Sequence, residues 1–493
     1  MKSFPELRLS VRVDAPPRED GAFVLYWMTA ARRTRFNFAL DRAIDWAREL
    51  DRPLVVLEGV RAGYRWASDR HHRSILDGMR DQQAAFEAAG VRYLPYVEPE
   101  DGAGKGLLEA LAEPASVVVT DEWPGFFLPR MLDAAAGKLS TRLEAVDGNG
   151  LLPLRAADRP YTTAHSFRRF LQKTIRDHLD ETPRKEPLAH LDLPSLGRLP
   201  SGVAKRWPTA TATMLEGGPA ALAELPIDHD VSPVEEAGGG EAGRRRLREF
   251  VDRLDRYDEH RNEPEEDATS RLSSFLHYGH VGAHEVFDAL VGREGWSPDD
   301  LGDRTDGRRE GFWGMSTPAQ AFLDELVTWR ELGFVDMFHR DGIDTYESLP
   351  DWARKTLEEH EGDEREHVYD LAEFDEARTH DPLWNAAQNQ LRREGRIHNY
   401  LRMLWGKKVL EWTASPREAL DVMIELNDRY AIDGRDPNST SGIFWVLGRY
   451  DRAWGPERPV FGKIRYMTSS NTRRKVRVDG YIDRHGGERV GTA

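Results

Sequence analysis

Between residues 22 and about 155 short apolar runs alternate with longer stretches in which apolar residues recur every three or four positions. The short runs predict strands at Phe23-Val24-Leu25-Tyr26-Trp27, Pro53-Leu54-Val55-Val56-Leu57, Val91-Arg92-Tyr93-Leu94, Ser116-Val117-Val118-Val119 and Leu143-Glu144-Ala145-Val146. The periodic stretches Ala39 to Leu50 and His72 to Ala89 predict helices. Strand and helix in alternation predict a doubly wound, Rossmann-like parallel sheet, a fold whose ligands sit beyond the carboxyl ends of the strands. The glycine fingerprint of a dinucleotide site is missing there.

From about 156 to 236 Pro, Gly and Ala dominate, as in a long connector, although Phe167 to Leu179 keeps a helical pattern. From 237 onward helical periodicity prevails, at Gly243 to Leu254, Ala283 to Leu290, Pro318 to Phe338, His398 to Trp412 and Pro416 to Asn427. The pattern predicts an α/β domain over 22–155, a connector over 156–236 and an all-α domain over 237–480. An amino-terminal extension, 1–21, and a tail, 481–493, flank them. A chain of 493 residues is long enough for two domains.

Composition narrows the chemistry. With no cysteine, disulfides, thiolate zinc sites and iron–sulfur clusters are excluded, and no metal site is expected. No apolar run is long enough to cross a bilayer and the first residues lack the apolar core of a secretion signal, so the protein is expected to be cytoplasmic. A net charge of −16 argues against a polyanionic partner. Locally the balance reverses: Lys463, Arg465, Arg473, Arg474, Lys475 and Arg477 fall in one stretch without an acid. Such a run also suits an ordinary solvated face.

Four constellations carry candidate chemistry. Thr269-Ser270-Arg271-Leu272-Ser273 follows a polar loop and precedes apolar Phe275-Leu276, where hydroxyls and free N–H groups at a helix start would cradle phosphate or simply cap the helix. Glu325 and Trp329, four apart, share a helix face on which a flat ligand could stack, as could a half-buried Trp beside a surface acid. Trp384, Trp405 and Trp412 lie in helical sequence interrupted by Gly395 and suit either core packing or a chain of oxidisable rings. Finally, Leu426-Asn427-Asp428 precedes the turn-forming Asp433-Gly434-Arg435-Asp436-Pro437-Asn438, whose polar groups suit a polar ring or a well-made loop.

The strings Leu383 to Gln388, Arg402 to Lys408, Glu411-Trp412-Thr413, Leu426-Asn427-Asp428, Asp433 to Asn438 and Arg458 to Met467 resemble class II cyclobutane pyrimidine dimer photolyases. The likeness continues more thinly through Thr269 to Gly279 and Glu325 to Leu332. It reaches the amino-terminal domain, where Tyr26-Trp27-Met28 precedes Arg32, Arg35, Asn37, Ala39 and Leu40. The resemblance implies a helical domain that holds FAD, with Thr269, Ser270, Arg271, Leu272 and Ser273 at its phosphates. It further implies Tyr257, Arg261, Asp433 and Asp436 as cofactor contacts and Asn427 beside flavin N5. Glu325, Trp329, Met403 and Trp445 would meet a flipped-out dimer, with Glu325 protonated. Trp405, Trp384 and Trp412 would relay electrons to oxidised flavin, Trp405 innermost and Trp412 outermost. Lys463, Arg465, Arg473, Arg474 and Lys475 would meet DNA phosphates. A deazaflavin antenna in the α/β domain is a further expectation, as are ultraviolet-damaged DNA as partner and a monomeric state.

The chain departs from the family where Asn438-Ser439-Thr440-Ser441 replaces the usual Asn-Gly-Tyr and where Gly448-Arg449-Tyr450-Asp451 replaces Gly-Val-His-Asp. It is also one residue shorter before Trp454. These changes keep open the alternative of a cryptochrome-like blue-light sensor that binds flavin and repairs nothing.

Overall fold

A computed structural model describes residues 4–200 and 202–487. The end of the expected tail, 488–493, and the first residues of the expected extension, 1–3, lie outside the described residues. The chain forms two compact units, neither continuous in sequence: 1–158, 174–251 and 271–299 make the first, and 159–173, 252–270 and 300–493 the second.

The first unit is built on a six-stranded sheet: β1 Leu9–Val13, β2 Phe23–Met28, β3 Leu54–Val60, β4 Arg92–Val97, β5 Ala115–Glu122 and β6 Leu143–Asp147. Its order is β1-β6-β5-β2-β3-β4, with every neighbouring pair parallel except β1 and β6. β2 is buried along its whole length, as a central parallel strand covered on both faces must be. Alternation sorts its side chains: Phe23, Leu25 and Trp27 enter one core, and Val24, Tyr26 and Met28 enter the other with Phe38, Leu40 and Ile44 of helix Phe38–Glu49. Asn37 caps that helix, its side chain accepting from Leu40 N–H at 3.0 Å. Chain order reverses at β2, which pairs with β3 on one side and β5 on the other, so the loops after these strands surround a topological switch point.

Two features differ from the sequence pattern. Leu9–Val13, within the expected extension, is an antiparallel edge strand in register with β6, Leu9 opposite Val146. Helix Gly239–Asp252 and helix Ala283–Glu294 group with the first unit, except for Asp252, rather than opening the second. The cause is local. Gly238 N–H donates to Asp77 at 2.9 Å, Gly239 N–H to His280 Nδ1 at 3.0 Å and Glu241 N–H to Asp81 at 2.9 Å, the two acids lying on helix Asp69–Ala88.

The second unit is helical. Its main helices are Thr317–Leu323, Arg330–His339, Pro382–Glu394, Asn399–Trp412, Pro416–Tyr430 and Pro437–Val446. Gly395 ends the 382–394 helix in the left-handed region, φ 67°, as its place in the pattern predicts. Gly406 lies where the 399–412 and 437–446 helices touch: a Cβ there would stand 2.5 Å from Val446 Cγ2. Among the described residues no helix is long and apolar enough to cross a membrane.

Candidate functional site

The helix expected over 318–338 is not uniform. Between Thr317–Leu323 and Arg330–His339 the backbone takes one wider π turn, Asp324–Trp329, and this turn carries both Glu325 and Trp329. Such wide turns mark functional positions more often than ordinary helix does. Asp324 anchors it: buried Arg168 grips its carboxylate at 2.8 and 3.1 Å and donates to the Gly307 carbonyl at 3.1 Å.

On that turn Glu325 Oε1 accepts from Arg261 Nη1 at 2.7 Å, and the Arg261 guanidinium lies 5.5 Å from the Tyr257 ring. Thus Tyr257 and Arg261, expected at the cofactor, are gathered around Glu325. Burial pushes the Glu325 carboxyl above its ordinary range; Arg261 opposes the rise and Asp324 adds to it. Trp329 stacks on Trp445 with centroids 4.5 Å apart and planes inclined by 19°, both indoles half-buried. Met403 is half-buried on the 399–412 helix, and no described contact joins it to the indole pair.

Sequence reasoning missed the group that ends the helix bearing Trp445. Lys407, buried at 1% exposure, donates its Nζ to the Val446 carbonyl, and burial pulls its pKa down to about 7. It also missed Trp454, flanked by Arg452 at 4.6 Å and Arg465 at 5.3 Å in a cation–π arrangement.

The three tryptophans form one buried stack. Trp384 and Trp405 lie parallel with centroids 6.3 Å apart and planes within 7°, and Trp384 meets Trp412 at 6.2 Å and 67°. Hydrogen bonds fix the rings: Trp384 Nε1 donates to the Trp405 carbonyl at 3.0 Å, and Trp405 Nε1 to Gln388 Oε1 at 3.0 Å. Trp412, expected outermost, is itself only 3% exposed; Tyr369, half-buried, covers its edge at 5.8 Å.

The remaining polar candidates cluster less completely. Asn427 donates to Asp428 Oδ1 at 2.8 Å and to Ser439 Oγ at 3.0 Å, Asp433 pairs with Arg402 at 3.0 Å, and Asp436 caps the 437–446 helix through Asn438 N–H. The Thr269 to Ser273 stretch does not act as a helix cap. Ser273–His277 is a single short helix without a side-chain cap, and the unit division falls inside the stretch: Thr269 and Ser270 belong to the second unit, Arg271, Leu272 and Ser273 to the first.

The second unit's residues fit a large polar cofactor such as FAD. His398, 6% exposed at the start of the 399–412 helix, has both ring nitrogens buried without a partner, and burial lowers its pKa to about 4, so it presents one donor and one acceptor. Asp267, just before Thr269, is near enough to oppose that lowering.

The basic run is partly neutralised. Lys463 pairs with Glu457 at 3.0 Å and Arg473 with Asp479 at 3.0 Å, whereas Arg474 and Lys475, exposed on helix Ser469–Lys475, and exposed Arg465 make no ion pair among the described residues. In the first unit Tyr64, Trp66, Phe126 and Phe127, all half-buried, form an aromatic group beyond the carboxyl ends of β3 and β5, with Phe126 and Phe127 4.7 Å apart and Trp66 against Phe126 at 6.3 Å. Trp66 and Phe126 adopt positive φ, 69° and 59°, unusual for aromatic residues.

No protein-family model matches the chain. Among curated proteins it is similar to a deoxyribodipyrimidine photo-lyase from Methanothermobacter thermautotrophicus, 34% identical over 470 residues that cover 94% of each chain. Proteins of the same description from Arabidopsis thaliana and Potorous tridactylus are 33% and 31% identical, each matched over 93% of this chain and over 88% and 80% of their own. Among solved structures a bacterial class III photolyase from Agrobacterium tumefaciens shares the fold, with a TM-score of 0.64 over 96% of this chain and 88% of that one at 17% identity.

Proposed function

The chain belongs to the deoxyribodipyrimidine photo-lyase family, and from that premise we propose that it is a class II enzyme splitting cyclobutane pyrimidine dimers in DNA by light-driven electron transfer. It is a DNA photorepair lyase, and we place its work in the cytoplasm on ultraviolet-damaged DNA, as a monomer. The observation that carries the lesion reading is the π turn, which sets an acid with a raised pKa and one member of a half-buried indole pair within one wide turn.

FAD, when bound and fully reduced, supplies the electron that light drives into the dimer. Tyr257, Asn427, Asp433, Asp436, Thr269 and Ser270, with His398, are the second unit's groups to hold it, and Arg271, Leu272 and Ser273 are the first unit's. The added electron weakens the two carbon–carbon bonds of the cyclobutane ring; both break and the electron returns, so the repair is redox neutral. Negative charge gathers meanwhile on the pyrimidine carbonyls. A protonated Glu325 donates a hydrogen bond there, and Arg261 fixes its orientation. The dimer must leave the duplex, and its weakened pairing lowers that cost. Trp329 and Trp445 offer it apolar ring faces, with Met403 beside them.

Stacking on an indole is worth about 1–3 kcal/mol per base. Trp445→Ala is therefore expected to weaken binding of a dimer-containing oligonucleotide by roughly 10- to 100-fold while binding of undamaged DNA stays unchanged. Equal affinity for the dimer in variant and wild type would refute this pocket, and a pure light sensor would split no dimer under light at all. Arg465, Arg474 and Lys475 are the proposed phosphate-binding groups. Replacing Arg474 and Lys475 with Gln should flatten the dependence of log affinity on log salt by about 0.9 for each phosphate that is no longer neutralised. The aromatic group around Tyr64 and Phe126 is the proposed seat of a deazaflavin antenna.

A further inference from the structure

Resting on the FAD reading, we propose that Ser439 is a positioning residue that locks the Asn427 amide so that only its carbonyl oxygen can face the flavin. Ser439 stands where the family resemblance calls for glycine. It is the third residue of the 437–446 helix and 5% exposed, and Asn427, on the 416–430 helix, is 4% exposed.

A primary amide carries two hydrogens on nitrogen and acceptor capacity only on oxygen. Both hydrogens of Asn427 are committed, one to Asp428 Oδ1 at 2.8 Å and the other to Ser439 Oγ at 3.0 Å. Asp428 Oδ1 also accepts the Arg435 N–H at 2.9 Å, which fixes it as an acceptor and so fixes which end of the amide meets it. Asn427 Oδ1 accepts from no protein group among the described residues. Turning the amide over would break two hydrogen bonds and set oxygen against oxygen on both sides. With glycine at 439 one hydrogen would be free and the turn would break a single bond.

The consequence lies in the flavin's protonation. Oxidised FAD presents a lone pair at N5; two electrons from a reductant and one proton from solvent convert it to the reduced anion, in which N5 carries hydrogen. A carbonyl oxygen accepts from N5–H and repels a bare lone pair. The lock therefore favours reduced over oxidised FAD, whereas an amide free to turn over would also offer its N–H to the oxidised ring.

The test is an anaerobic titration with dithionite and redox mediators of FAD-loaded wild type, Ser439→Ala and Ser439→Thr. The alanine variant should lose about tenfold in the reduction equilibrium constant, a midpoint lower by about 30 mV for a two-electron couple. The threonine variant keeps the hydroxyl and should keep the wild-type midpoint. An alanine variant at the wild-type midpoint, or a threonine variant that shifts with it, overturns the lock. If the alanine variant does not fold, Ser439→Gly carries the same expectation. Flavin absorbance separates the two levels: wild type that binds no FAD refutes the cofactor reading, whereas bound FAD with unmoved potentials refutes only the role of Ser439.

Discussion

Replacing Glu325 with alanine is expected to lower the yield of dimer splitting per absorbed photon by on the order of 100-fold, the usual cost of removing one preorganised donor from a developing oxyanion. The site leaves little to substitute for it. Glu325 is the acid of the π turn whose pKa burial raises, and its Arg261 partner, 22% exposed at the side chain, would lose its counter-charge. Glu325→Gln supplies a neutral donor at the same place and should retain most of the activity. Because the proton on Glu325 is what donates, wild-type repair should fall as pH rises through the raised pKa, and the glutamine variant should lose that limb. Arg261 holds the pKa down, so Arg261→Met should move the same limb to higher pH. Steady-state repair under constant light across pH, with enzyme reduced beforehand, reads all three; a glutamine variant with the wild-type pH profile would exclude Glu325 as the titrating donor.

Replacing Trp384 with phenylalanine should sharply slow light-driven reduction of oxidised FAD and leave repair by chemically reduced enzyme intact. Trp384 is the middle ring, 6.3 Å from Trp405 and 6.2 Å from Trp412 by centroid, so losing the indole removes the oxidisable step between them. The ring is 1% exposed and donates to the Trp405 carbonyl, so the variant should also be destabilised by about 1–3 kcal/mol through a small cavity and the loss of one hydrogen bond. Flash photoreduction with and without external reductant, alongside a thermal melt, distinguishes the two effects. Unchanged photoreduction would reduce the three tryptophans to core packing.

Both predictions concern residues that the sequence singled out, yet their partners came from the fold. Glu325 was visible as an acid four residues from Trp329, but spacing alone fitted a surface acid equally well, and Arg261, 64 residues earlier, is what the structure sets against it. The π turn was invisible because one extra residue in a single turn barely disturbs a hydrophobic period read over twenty positions. The basic run was plain in composition, but the acids that neutralise Lys463 and Arg473 lie outside it. The aromatic group at Tyr64, Trp66, Phe126 and Phe127 joins two loops some sixty residues apart, and nothing periodic links them.

By itself the sequence determined the elements: the five parallel strands, most helices, the stop at Gly395 and the strings that carry the family likeness. These follow from local preferences, since burial on a pleated or helical face imposes a period of 2 or 3.6 residues wherever the chain forms it. Tertiary structure decided the rest. It paired β1 with β6, drew helix Gly239–Asp252 to the first unit, turned the tryptophans into one stack and committed both amide hydrogens of Asn427. Those outcomes depend on distances and directions between side chains far apart along the chain, which the packing of whole helices and strands sets and which no local period records.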